Sequence, residues 1–186
     1  ALIQALQDES SNVRRNAVRE LEKIGQNAKD AVPALILALQ DESSNVRRHV
    51  AGVLGNIGQG AKDAVPALIQ ALQDPSEYVR LTATSALDQM GKDAVPSLIR
   101  ALQDKDVCYY AAEALGNIGQ DAKEAVPALI LALQDERSNV RSHVVGALGN
   151  IGQDAKDALP ALNHALQDQS EYVRRQAAKA LSEISN

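Results

Sequence analysis

The phrase Ala-Leu-Gln-Asp occurs six times, with its aspartate at Asp8, Asp41, Asp74, Asp104, Asp135 and Asp168, so the spacings are 33, 33, 30, 31 and 33 residues. A second phrase, Lys-[Asp/Glu]-Ala-[Val/Leu]-Pro, precedes five of the six, with prolines at Pro33, Pro66, Pro96, Pro127 and Pro160. A unit of that size cannot bury its apolar face without neighbours, so the period demands a stack of like units sharing one core. The expected organisation is a single domain of six repeats, at about 1–30, 31–63, 64–93, 94–124, 125–157 and 158–186.

The second repeat shows how each is built. Asp30 is an expected N-cap and Pro33 falls in the first helical turn, where its missing N–H costs nothing. Val32, Leu35, Ile36 and Leu39 then recur at helical spacing. Asp41 to Asn45 form a turn, with Ser43 or Ser44 expected to cap a second helix that turns Val46, Val50, Ala51, Leu54 and Ile57 inward. Gly58 is the expected left-handed stop, repeated at Gly25, Gly91, Gly119 and Gly152. Each repeat therefore reads as helix A, a turn, helix B and a connecting loop.

Three residues carry a family resemblance: the helix-A proline, the aspartate of the recurring phrase, and a Val-Arg opening of helix B. That opening stands at Val13-Arg14, Val46-Arg47, Val79-Arg80, Val140-Arg141 and Val173-Arg174. In these the chain resembles the HEAT repeats, specifically the short HEAT-like repeats named after phycobilisome lyases, over its whole length. The resemblance implies an all-α, right-handed solenoid of six two-helix repeats. It implies A helices outside, B helices lining a concave face, and a ladder of aspartates and arginines tying neighbouring repeats together.

The composition excludes several function classes. No apolar run approaches the roughly 20 residues of a membrane helix. A net charge of −5 argues against a general nucleic-acid binder, and the single cysteine, Cys108, fits a reducing, cytoplasmic setting. His49 and His143 occupy equivalent places three repeats apart, on the order of 25–30 Å at ordinary helix spacing, too far to share a metal. The carboxylates sit at recurring turn positions, and no nucleophile has a histidine beside it. Neither catalytic residues nor a cofactor or metal are therefore expected.

The ends also differ from the middle. A helix-A position held by Ile3, Ile36, Ile69, Ile99 and Ile130 becomes Asn163, followed by His164, and the chain closes Ile184-Ser185-Asn186 without the usual glycine. A terminal repeat needs a polar outer side, so these changes read as a C-terminal cap, and the chain as the C-terminal part of a longer one. Residues 34–68 and 128–162 are nearly the same, and Ser-Glu-Tyr-Val-Arg recurs at 76–80 and 170–174. Both offsets are 94 residues, as expected for a duplicated block of three repeats.

Repeat 4 departs most from the pattern. It loses two residues in its turn and places Cys108 where other repeats have the ladder arginine, which from sequence alone bears on Asp104 of the same repeat. Tyr109 and Tyr110 follow, with Glu113 one turn on. Tyrosines combine large contact area with a polar handle and are enriched at interaction hot spots; filling space left by the shortened turn is the alternative.

If B helices line the groove, its candidate partner-binding residues in repeats 2 and 3 are Arg48, His49, Leu81, Thr82 and Ser85. In repeats 4 to 6 they are Tyr109, Tyr110, Glu113, Ser142, His143 and Arg175. The stripe reads as basic at both ends, suiting a protein or peptide segment with acidic flanks and an apolar anchor. The convex side offers exposed Leu37 and Leu131. The expected function is a non-catalytic protein-binding scaffold. The alternatives are a phycobilin lyase or chaperone-like subunit, by resemblance, and a DNA-binding HEAT-like module.

Overall fold

The computed structural model describes residues 1–185; Asn186, the last residue of the expected cap, lies outside them. Among the described residues there are twelve α-helices, which alternate short and long, and no strand. They run α1 Leu2–Ala5, α2 Ser11–Ile24, α3 Val32–Ala38, α4 Ser44–Ile57, α5 Val65–Ala71 and α6 Glu77–Gln89, then α7 Val95–Ala101, α8 Cys108–Ile118, α9 Val126–Ala132, α10 Ser138–Ile151, α11 Leu159–Ala165 and α12 Glu171–Ser185. The chain gathers into two compact halves, Ala1–Ala94 and one beginning at Val95.

Within each half the long B helices stack, α4 against α2 and α6, and α10 against α8 and α12. Each short A helix lies on the B helix that follows it, as α3 does on α4 and α9 on α10. The periodic residues face the core as their spacing requires: Val32, Leu35 and Leu39 of helix A are buried, as are Val46, Val50, Ala51, Leu54 and Ile57 of helix B.

Three local expectations are revised. The connecting loops are 3₁₀ segments, Gly25–Ala31, Gly58–Ala64, Gly91–Asp93, Gly119–Ala125 and Gly152–Ala158. In four of them alanines three apart, such as Ala61 and Ala64, are both buried. In three of the four the first alanine of the pair leaves helical dihedrals, as Ala61 does at φ −113° and ψ 22°, so each of these segments is kinked there. Asp30 lies inside a 3₁₀ segment rather than capping α3, whose N-cap is Ala31.

The second revision concerns the serines. Ser43 is the N-cap of α4, but its hydroxyl makes no capping bond; its N–H donates to Asp41 Oδ1 at 2.8 Å. The third concerns the glycine stop. Gly58 has φ 63° and ψ −130°, positive φ as expected but far from the left-handed helical ψ, a conformation that essentially only glycine adopts.

A different set of glycines governs how closely B helices approach. Leu-Gly-Asn recurs at 54–56, 115–117 and 148–150. A Cβ on Gly55 would lie 2.8 Å from Ala86 Cα, on Gly116 3.1 Å from Ala147 Cα, and on Gly149 3.1 Å from Ala180 Cα. The backbone of the next helix cannot move aside at these points, although at Gly149 the Glu183 carboxylate, which can, would lie nearer still. Gly146 of the same helix as Gly149 has nothing within 4 Å of its Cβ position. Gly55→Ala should therefore lower stability by about 1–3 kcal/mol, whereas Gly146→Ala should raise it by about 0.5–1 kcal/mol through helix propensity. Urea denaturation of the two variants checks the pair; equal shifts of one sign would contradict it.

Candidate functional site

The frame around the B-helix face is a ladder of enclosed ion pairs. Arg47 donates from Nε and Nη2 to Asp74 of the next repeat at 2.6 and 2.8 Å, and from Nη1 to the carbonyls of Asp41 and Glu42. Arg14 makes the same fork to Asp41, and Arg141 to Asp168. Burial alone would raise the Asp41 and Asp74 carboxyls, but the facing guanidinium and the N–H two residues on hold both below the usual range. Arg14, Arg47 and Arg141 are thus committed to joining successive repeats.

The ladder reaches forward, so the arginine missing at Cys108 bears on Asp135 and not on Asp104. Arg137, from the next turn, takes over. It donates from Nε to Asp135 Oδ1 and from Nη2 to Asp135 Oδ2, both at 2.9 Å. It also donates to Cys108 Sγ at 2.9 Å and to the Lys105 carbonyl at 2.5 Å. The Arg137 hydrogen bonds hold the Asp135 carboxyl at about 2. Cys108 is 2% exposed, and burial pushes its thiol up more than Arg137 pulls it down, so it is not a reactive nucleophile.

In the C-terminal half the B-helix face carries an aromatic cluster. The Tyr109 and Tyr110 rings meet edge to face with centroids 5.0 Å apart, and Tyr109 lies 4.1 Å from the His143 ring. Both tyrosines are half-buried. His143 Nδ1 lies 2.9 Å from the Asn139 carbonyl and donates to it.

Beside the cluster is a cavity of about 240 Å³ between α8, α10 and α12. Its small floor includes Ala112, Gly116 and Gly146, and Glu113, His143 and Tyr172 border it. Glu113 Oε2 is buried with no hydrogen-bond partner. Burial pushes the Tyr109 phenol up, and Glu113, Tyr110 and Tyr172 add to it.

The other candidates are placed less suggestively. Ser142 borders the cavity but is 5% exposed. Arg175, expected to make one end basic, is paired with Glu171, and Lys179 with Glu183 at 3.4 Å. In the N-terminal half Arg48 and His49 are half-buried, and His49 Nδ1 lies 2.7 Å from the Asn45 carbonyl. Leu81 is 44% exposed; Thr82 donates to the Tyr78 carbonyl and Ser85 accepts from Gln89. Leu37 and Leu131 on the A helices are 68% and 71% exposed, as expected.

Sequence reasoning missed Tyr172 as a wall of the cavity. It stands four residues before Gln176, which also borders the cavity, and that helical spacing could have found it. Among the described residues no group of three His, Cys, Asp or Glu side chains could hold a metal ion, and no helix is long and apolar enough to cross a membrane.

Asp135 gives a pH dependence with a defined sign. Its carboxyl is lowered from 3.8 to about 2, so folding favours the ionised form. That contribution is complete above the unfolded value and is lost as pH falls through the folded one. The urea midpoint should fall between pH of about 4 and 2, and less steeply in Arg137→Met; parallel curves for the two proteins would contradict the assignment.

HEAT repeats match residues 1–87, 38–109 and 95–182. No curated protein matches the chain. Among solved structures, the complex of CpcE and CpcF of phycocyanin lyase from Nostoc sp. PCC7120 is 28% identical, with a TM-score of 0.57, covering 100% of this chain and 76% of that one. A designed armadillo repeat protein in complex with the peptide (KR)4 is 23% identical, with a TM-score of 0.61 and 98% of each chain covered. An engineered protein is 25% identical, with a TM-score of 0.59, covering 100% of this chain and 57% of that one. With its paired helices, its Arg–Asp ladder and matched segments along its length, the chain belongs to the HEAT repeat family.

Proposed function

We propose that this chain is a non-catalytic module that binds a protein or peptide segment on the face made by its B helices, centred on α8, α10 and α12. The observation that carries this reading is the Tyr109–Tyr110–His143 cluster beside an open cavity, at the repeat that most departs from the pattern. Two tyrosines filling space under a shortened turn would be enclosed; these remain half-exposed on the face. The lyase relative is a complex of two proteins, which agrees with a protein partner.

Affinity capture from lysate of the source organism, read by mass spectrometry, tests the module. A specific partner should be retained by the wild type and weakened on the order of 30-fold by Tyr109→Ala/Tyr110→Ala, the scale of a hot spot. Equal retention by a variant with unchanged circular dichroism would sink the proposal.

A second reading follows from the 28% identical lyase: an accessory subunit in bilin attachment. It predicts a shifted visible absorbance when the protein is mixed with a phycobilin, and an unchanged spectrum removes it.

A further inference from the structure

The duplicated block provides an internal comparison. With the offset of 94 residues, His143 corresponds to His49 and Tyr172 to Tyr78. Around them, Tyr109, Tyr110 and Glu113 on α8 take the places of Arg15, Asn16 and Arg19 on α2. The same scaffold therefore presents cations on one B-helix face and a carboxylate on the other.

An unpartnered polar atom marks each of these two helices. On α2 it is Arg15 Nε, and on α8 it is Glu113 Oε2. A half-buried carboxylate oxygen without a hydrogen-bond partner is costly, and Arg175 and Lys179 on α12 lie in exposed pairs with Glu171 and Glu183. Two rings, those of His143 and Tyr172, border the cavity, and the Tyr109 ring lies 4.1 Å from that of His143. The amide N–H₂ of Asn150, also at the cavity, donates to the Gly116 carbonyl at 3.1 Å.

We propose that the cavity between α8, α10 and α12 receives a lysine side chain of the partner segment, its ammonium beside Glu113 and the rings of His143 and Tyr172. This rests on the protein-binding reading above and deepens it by naming what the groove selects. Cation–π attraction is strongest where water is displaced, and the cavity of about 240 Å³ has room for the aliphatic stem over its alanine and glycine floor. The compact charge of lysine suits a site offering a single carboxylate rather than a bidentate cradle.

Selection of random displayed dodecapeptides on the whole chain tests this directly, because it does not require the natural partner. Selected peptides that compete at the groove should share a lysine. Its replacement by norleucine, and separately Glu113→Gln in the protein, should each weaken binding on the order of tenfold, while Glu136→Gln on an exposed turn should not. The norleucine arm is independent of whether the Gln variant folds. Peptides lost with Tyr109→Ala/Tyr110→Ala but indifferent to Glu113→Gln and to norleucine would overturn the lysine site and leave the binding module standing. Failure to select any groove-dependent peptide would overturn both.

Discussion

The Arg–Asp fork between successive repeats is the interaction on which the rest of the structure depends. In Arg47 one guanidinium is shared by four acceptors: both oxygens of Asp74 and two carbonyls of its own turn. It therefore closes the turn of one repeat with the same group that fixes the next. Both side chains are largely enclosed, 15% and 8% exposed, so the net stabilisation is modest while the geometric constraint is strong. Removing one partner would strand the other, which is why the pair recurs with so little variation.

Close approach of the B helices completes the frame. Apolar burial by Ala, Val, Leu and Ile is directionless and would tolerate many helix separations. Gly55, Gly116 and Gly149 remove the Cβ atoms that would hold the helices apart, leaving backbone against the alanine of the next helix. In α4 and α10, which carry both, ladder and glycine contact act at different points along the helix, the first near its start and the second in its last turns. Between them lie the positions that neither constrains, and His143 and Gly146 are among these.

Much of this was legible in the sequence because repetition amplifies weak signals. The helix pairs and their buried stripes were visible in recurring residues, and the ladder was implied by the family resemblance those residues carry. The 3₁₀ segments were missed because Gly-Gln-x-Ala-Lys-Asp-Ala looks like polar loop composition. The direction of the ladder was also not visible, since Arg47 is six residues from Asp41 and 27 from Asp74, and proximity in sequence favours the wrong partner. At the candidate site, Tyr109, Tyr110, Glu113 and His143 were singled out on different grounds. That Glu113 and His143 border one cavity with Tyr172, with Tyr109 against the His143 ring, depends on packing between three helices that no single repeat encodes.

Repeat 4 shows how a repeated scaffold can diverge without losing its frame. Loss of the ladder arginine at Cys108 would strand Asp135, but Arg137 supplies a guanidinium from the opposite side of the same junction. It also bonds the Lys105 carbonyl, replacing a turn contact that the ladder arginines make elsewhere. The start of α8 is thereby released from a scaffold role, and its next positions carry rings and a carboxylate where α2 carries Arg15, Asn16 and Arg19. Relaxed constraint alone would account for varied residues there. It does not account for an aromatic cluster, a cavity with a small-residue floor and an unpartnered carboxylate oxygen lying side by side, the combination on which the proposed lysine site rests.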